Sequence, residues 1–137
     1  MNLISSRQLR IVAVVFLALL VAWGKDDQPA KTTVEGLVRD ISCPVQNKAA
    51  TATTLNLKCA LECARNGSPL IILSRDGFIY LPISDSMPDK DQRQRLMPFV
   101  GKYVKATGTV YERSGTRAIA IDQIIEMKEV HLVTDAQ

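Results

Sequence analysis

The most regular feature of the chain is an alternation of apolar and polar residues towards its C-terminal end. Over residues 102–112, Val104, Ala106 and Val110 fall on one parity, and lysine and threonine side chains fall on the other. A repeat of two residues is typical of a strand that is buried on one face only. The pattern therefore predicts a strand here, with Val104 turned towards a core.

A second strand of the same kind is predicted over residues 117–127. Its apolar positions indicate that Ile119, Ile121 and Gln123 share one face. The residues between the two strands, 113–116, read Arg-Ser-Gly-Thr and predict a turn, because glycine accepts the positive φ that tight turns require. The two strands are thus expected to form a hairpin.

Three further strands are predicted in the first half of the chain, over residues 33–42, 69–74 and 78–81. Gly36 interrupts the first of them and suits a bulge or a sharp bend. The Asp-Gly pair at 76–77 separates the other two and is a good hairpin signal.

Two helical segments lie between these strands. The first is predicted over residues 53–67, with Thr53 or Thr54 as its N-cap and Gly67 as its left-handed C-terminal residue. The second is a short helix over residues 88–99.

The resulting order predicts a mostly β fold, an OB-fold-like barrel of five strands. A cysteine-bearing helix is inserted between strands 1 and 2, and a short helix lies between strands 3 and 4. A generic α+β sandwich is the competing interpretation. The expected organisation is a signal peptide or N-terminal anchor (1–24), a linker (25–31), one domain (32–133) and a tail (134–137).

The N-terminal segment predicts export. Residues 11–23 are an unbroken apolar run of 13 residues, preceded by Arg7 and Arg10. A bilayer-spanning helix needs about 20 apolar residues, so the run fits the core of a signal peptide better. We expect a periplasmic or secreted protein of the bacterial envelope. If the segment is not cleaved, residues 11–23 anchor it in the inner membrane, and this segment is its only membrane contact.

The charge balance argues against a nucleic-acid partner. Two of the 17 basic residues precede the apolar run, and the remaining 15 nearly balance the 14 acidic ones. A chain with so little net charge lacks the cationic surface that nucleic acids require. No nucleotide loop or catalytic triad motif occurs either, so an enzyme is not expected.

The three cysteines carry most of the chemical information. Cys59 and Cys63 are four residues apart and therefore share one helix face, and Cys43 follows the first strand. One interpretation is a disulfide between Cys43 and one helix cysteine, which an oxidising compartment favours. A second is a soft-metal site for zinc or monovalent copper. A third is thiol redox chemistry, although the spacing is one residue longer than Cys-x-x-Cys and the pair is expected in mid-helix.

These cysteines also carry a resemblance. The patterns Asp40-x-x-Cys43 and Cys59-Ala-x-x-Cys63-x-x-x-Gly-x-Pro resemble those of small, uncharacterised bacterial exported proteins with an OB-fold-like domain. In that group a histidine stands three residues before the first helix cysteine, and it would complete a four-ligand metal set. This chain has Asn56 at that position.

The leading functional prediction is a small, exported, non-catalytic binding or interaction module for a protein or small ligand. OB-folds bind ligands beside the loop after strand 1 and the loop between strands 4 and 5. The alternative is a soft-metal (zinc or copper) or thiol-redox protein. No other cofactor is expected. The candidate disulfide or metal residues are Cys43, Cys59 and Cys63, and the candidate rim comprises Asp40, Asn56, Arg113, Ser114 and Gly115.

Overall fold

A computed structural model describes residues 29–134 of the chain. The predicted signal peptide or anchor (1–24) and most of the predicted linker lie outside the described residues. The elements are β1 (Lys31–Asp40), α1 (Ser42–Gln46), β2 (Thr54–Leu55), α2 (Leu57–Arg65), β3 (Leu70–Ser74), β4 (Ile79–Ile83), α3 (Arg93–Leu96), a 3-10 turn (Met97–Phe99), β5 (Tyr103–Arg113), β6 (Thr116–Glu126) and β7 (Val133–Thr134).

The five long strands pair in a ring, in the order β1-β3-β4-β6-β5 and back to β1. Every pair in the ring is antiparallel except β4 with β6, which run parallel. The predicted mostly β fold is confirmed, and helical segments interrupt it where expected, after β1 and after β4. The short strands β2 and β7 form a separate parallel pair beside the ring.

Gly36 allows β1 to pair with two different strands, β5 and β3. The strand pairs with β5 over residues 31–37 and with β3 over residues 36–40, so the change of partner takes place at this glycine. A Cβ atom at position 36 would collide with the backbone carbonyl of Leu73. The glycine therefore permits a close approach of the two backbones at the bend, as its position in the strand predicts.

The β5–β6 hairpin follows the predicted alternation at first and then departs from it. Val104 and Ala106 are fully buried, and the turn residues Ser114 and Gly115 have φ values of 50° and 83°, as a tight two-residue hairpin requires. The prediction that Gln123 faces inward is wrong, since this side chain is exposed.

The reason is a β-bulge in β6. Thr107 pairs with Gln123 whereas Gly108 pairs with Ile121, so Asp122 is an extra residue without a partner in β5. One extra residue reverses the inward and outward parity of everything beyond it. Ile124 consequently packs against the core in the place predicted for Gln123.

The cysteine-bearing helix α2 packs against β1. It contributes Ala60 and Ala64, one turn apart and both fully buried, to the same core as the ring. Residues of this small size let the helix approach the strand closely. No helix within residues 29–134 has both the length and the apolar character needed to span a membrane.

Candidate functional site

The three cysteine side chains converge at one point. Cys43 lies in α1 and the other two lie on successive turns of α2. All three Sγ atoms lie within 4.8 Å of one another, and those of Cys43 and Cys59 are 4.0 Å apart. All three side chains are partly exposed. Cys43 therefore lies beside the helix that carries Cys59 and Cys63, with its sulfur beyond the distance of a covalent bond.

Two capping side chains fix the backbone at two of these cysteines. Oδ2 of Asp40 accepts a hydrogen bond from the backbone N–H of Cys43 at 3.0 Å, and Oδ1 of Asn56 accepts one from the N–H of Cys59, also at 3.0 Å. Both bonds span three residues, and Asn56 is the N-cap of α2. Each therefore positions a thiol through its own main chain.

The cap at Asn56 corrects the predicted start of the helix. Thr53 and Thr54 were the predicted caps, but the segment Thr54–Leu55 is extended and pairs with β7. The helix can begin only after this short strand, so Cys59 is the third helical residue and lies in the first turn. The prediction of a mid-helix cysteine pair is wrong for Cys59.

The end of α2 is held as predicted. Gly67 has a φ of 96°, and its N–H donates to the carbonyl of Ala64. The N–H of Ser68 donates to the carbonyl of Cys63 at 3.0 Å. These bonds satisfy carbonyl groups that the last turn would otherwise leave unpaired, so Cys63 is also fixed by a helix end.

Two charged residues of β1 are buried beside the thiols. Asp40 is fully buried, and its second carboxylate oxygen, Oδ1, has no hydrogen-bond partner among the described residues. Arg39 is also buried, and it donates to the carbonyl of Thr54 at 3.4 Å. Its Nε atom lacks a partner in the described part of the chain.

Sequence reasoning did not identify Arg39. Arg39 stands two positions after Leu37 on the same face of the strand, but Glu35 on that face is exposed, so alternation alone does not predict its burial. Leu37 and Arg39 are both buried at the end of β1 against which α2 packs. A basic side chain that is buried next to a cysteine is a feature to examine in any site of this kind.

The environment keeps the thiols protonated. Burial is the main factor that raises the pKa of Cys43, Cys59 and Cys63 above the usual thiol value, and the negative charge of Asp40 raises it further. The guanidinium of Arg39 acts in the opposite direction on the pKa of Cys43 without reversing the shift. A reactive redox cysteine needs a lowered pKa, so this environment disfavours the redox interpretation.

The predicted disulfide is not present. A disulfide joins its sulfur atoms at about 2.05 Å, whereas Sγ of Cys43 and Sγ of Cys59 are 4.0 Å apart and all three cysteines are free. The sulfurs instead stand at the corners of a triangle. A metal that forms bonds of about 2.3 Å to three thiolates separates the sulfurs by about 3.8–4.0 Å.

The candidate rim residues divide into two groups. Asp40 and Asn56 adjoin the cysteines through the capping bonds described above. Arg113, Ser114 and Gly115 lie at the exposed tip of the β5–β6 hairpin, and none of them forms a hydrogen bond or ion pair with the cysteines in the described part of the chain. Gly115 instead lines, together with Ile41, a surface cavity of about 340 Å³.

Comparisons with known proteins give no assignment. No family model, no curated protein and no solved structure matches the chain. The arrangement of the thiols and their neighbours is therefore the basis for a functional proposal.

Proposed function

We propose that this protein is a small binding module with an OB-fold, and that its ligand is a thiophilic metal ion held by Cys43, Cys59 and Cys63. The ring order supports the fold assignment. If the five long strands are numbered in sequence, they pair as 1-2-3-5-4 and back to 1, which is the order of a five-stranded Greek-key barrel of this type.

The convergence of three sulfur atoms within 4.8 Å carries the metal-binding proposal. The sulfurs come from two helices that are separated in sequence, and their spacing is close to that of thiolates around one zinc or monovalent copper ion. Thiolates are soft ligands and select such ions over magnesium or calcium. Closing the triangle requires a movement of about 1 Å at most.

The buried carboxylate of Asp40 adds electrostatic support. A buried carboxylate oxygen without a partner is costly, and a cation among the thiols would offset that cost. The same negative charge raises the pKa of Cys43 and Cys63, after the larger effect of burial. The metal therefore has to displace protons from the thiols, as in other thiolate sites.

Export to the bacterial envelope remains part of the proposal, supported by the apolar segment at residues 11–23. Thiols in an oxidising compartment are at risk of oxidation, and the thiolate is the form that reacts. Raised pKa values would slow that reaction before a metal arrives. We propose binding without catalysis, with the metal ion as the ligand.

Metal titration of the reduced protein tests this function. Zinc and monovalent copper are each added under anaerobic conditions to the domain from residue 25 onward, and bound metal and free thiols are counted. We expect one metal ion per chain and protection of three thiols. Cys59→Ser should weaken binding strongly, because it removes one of three ligands.

A matched control comes from the same helix. Glu62→Gln changes an exposed acidic side chain next to Cys63 and should leave the affinity unchanged. If Cys59→Ser binds zinc and copper as tightly as the unmodified protein, or if the thiols stay reactive with metal bound, the proposed function is wrong.

A further inference from the structure

We propose that a divalent ion of the zinc type, held by Cys43, Cys59 and Cys63, keeps its fourth coordination position open to solvent and takes there a neutral ligand of the imidazole type from another molecule. The inference rests on the proposed function. It extends that function by naming the coordination state of the metal and the chemical class of a second ligand.

The first argument is the number of protein ligands at the cluster. The three sulfur atoms lie within 4.8 Å of one another, and no histidine nitrogen or carboxylate oxygen of residues 29–134 joins them. Asn56 lies close to Cys59 along the chain, but its side-chain oxygen already accepts the hydrogen bond from the Cys59 N–H at 3.0 Å. Using that oxygen as a ligand would remove the cap of α2. The cluster therefore provides three ligands.

The second argument comes from the sequence. The 137 residues contain three cysteines, all of which are in the cluster, and one histidine. That histidine, His131, is exposed and lies outside the cluster, two residues before Val133, whose N–H donates to the carbonyl of Thr53 at 2.8 Å. Residues 1–28 and 135–137 contain neither cysteine nor histidine. A further sulfur or imidazole ligand must therefore come from another molecule.

The third argument is the coordination that zinc-type ions require. Structural zinc sites are closed by four protein ligands, whereas sites with three protein ligands hold water or another molecule in the fourth position. All three cysteine side chains are partly exposed, so the cluster lies at the surface, where water can reach a bound ion. Three ligands at an exposed position form an open site.

Charge favours a neutral fourth ligand over an anionic one. Three thiolates and a divalent ion together carry one negative charge. The carboxylate of Asp40 adds another, since its Oδ2 accepts from the N–H of Cys43 at 3.0 Å, and the neighbouring buried Arg39 offsets that second charge. The charge that remains repels an additional anion. Imidazole is neutral, and its nitrogen is a ligand that zinc readily accepts, so it suits this position.

Cobalt(II) in place of zinc reports the fourth ligand through its absorption spectrum. Imidazole is titrated into the reduced, cobalt-loaded protein at about pH 8, where the ring is neutral. The intense sulfur-to-cobalt bands should remain, and the weaker bands that depend on the whole coordination shell should shift and saturate at one imidazole per cobalt ion. A spectrum that does not change during the titration would overturn the proposal, because a closed site has no position to exchange.

A matched pair of probes tests the preference for a neutral ligand. The rings of 4-methylimidazole and imidazole-4-propionate offer the same donor nitrogen, but the second molecule also carries a carboxylate. We expect weaker binding of imidazole-4-propionate, with a difference that shrinks as salt is added. Equal or tighter binding of the anionic probe would overturn the choice of a neutral ligand.

A dilution series distinguishes two sources of the imidazole. A spectrum that changes with protein concentration in the absence of added imidazole, and no longer does so in His131→Ala, would assign the donor to a second copy of this chain. A spectrum that is independent of protein concentration would assign it to a different molecule. In both cases the open position is supported only if added imidazole shifts the bands.

Thiol counts separate this proposal from the proposed function. The three thiols should stay protected while imidazole is bound. Release of a reactive thiol would mean that imidazole displaces a cysteine, which would overturn the open position. If no sulfur-to-cobalt bands form before imidazole is added, the proposed function itself fails. Bands that form normally but do not respond to imidazole would overturn only the open position.

Discussion

The β5–β6 hairpin and the cysteine insertion (residues 41–69, with the end of β1 that supports it) are built in different ways. The hairpin buries apolar side chains such as Val104 and Ile119 and leaves polar ones outside. Beside the insertion, Arg39 and Asp40 are buried, and each has an atom without a partner in the described part of the chain. Folding alone explains the first arrangement. The second is costly in the absence of a ligand, which is why we place the function there.

The two regions also differ in what holds them together. The two strands of the hairpin pair through their backbones from Val104 to the turn, and a single bulge is the one irregularity in this pairing. The insertion depends on short helices whose ends are fixed by single side-chain bonds, such as those from Asp40 and Asn56. Disruptive substitutions in the hairpin should therefore unfold the protein. Disruptive substitutions in the insertion should weaken metal binding before they unfold the protein.

The largest effect is expected from Val104→Asp. Val104 is fully buried, and an unpaired charge at this position should lower the free energy of unfolding by more than about 3 kcal/mol. Thr109→Asp, at a partly exposed position on the opposite face of the same strand, should cost less than about 1 kcal/mol. Urea denaturation of both variants measures the difference. Equal midpoints would mean that the inward face of β5 has been assigned wrongly.

A smaller effect is expected from Asn56→Ala. Loss of the cap on α2 should lower the free energy of unfolding by about 1 kcal/mol. It should also weaken metal binding, because the N–H of Cys59 is no longer held. Asn56→Asp keeps a capping oxygen and is the matched control. The same urea midpoint for Asn56→Ala and Asn56→Asp would contradict the role of the cap.

The smallest effect is a dependence of stability on pH in the metal-free, reduced protein. Burial raises the pKa of the three thiols, so the folded chain retains protons that the unfolded chain releases above about pH 8.5. The stability contribution of the protonated thiols is complete below that pH and is lost as the pH rises through the folded-state pKa. Zinc-loaded protein, whose thiols have already lost their protons, should not show this decline.

Melting temperatures from about pH 7 to about pH 10 measure this effect. A variant with serine at all three cysteine positions provides the baseline from other titrating groups. A decline of the same size in that variant would show that the thiols do not cause it.

The sequence predicted the regular region better than the irregular one. Alternation and turn residues located all five long strands, because periodicity and glycine act locally. The inward face of Gln123 was predicted wrongly, since the bulge at Asp122 arises from pairing with β5 and leaves little trace in β6 alone.

In the insertion, the convergence of the cysteines could be predicted from the helical spacing and from the position of Cys43. The cap at Asn56 could not, because the strand β2 that delays the helix depends on pairing with a distant segment. The burial of Arg39 likewise follows from packing of the insertion over β1. Where long-range contacts decide the structure, local patterns carry too little information.

X-ray absorption of the zinc-loaded, reduced protein tests the central claim most directly, because it counts the atoms around the metal. The account predicts three sulfur atoms at about 2.3 Å and one oxygen at about 2.0–2.2 Å. A zinc ion surrounded only by nitrogen and oxygen, or by fewer than three sulfurs, would contradict the claim that Cys43, Cys59 and Cys63 together form the metal site.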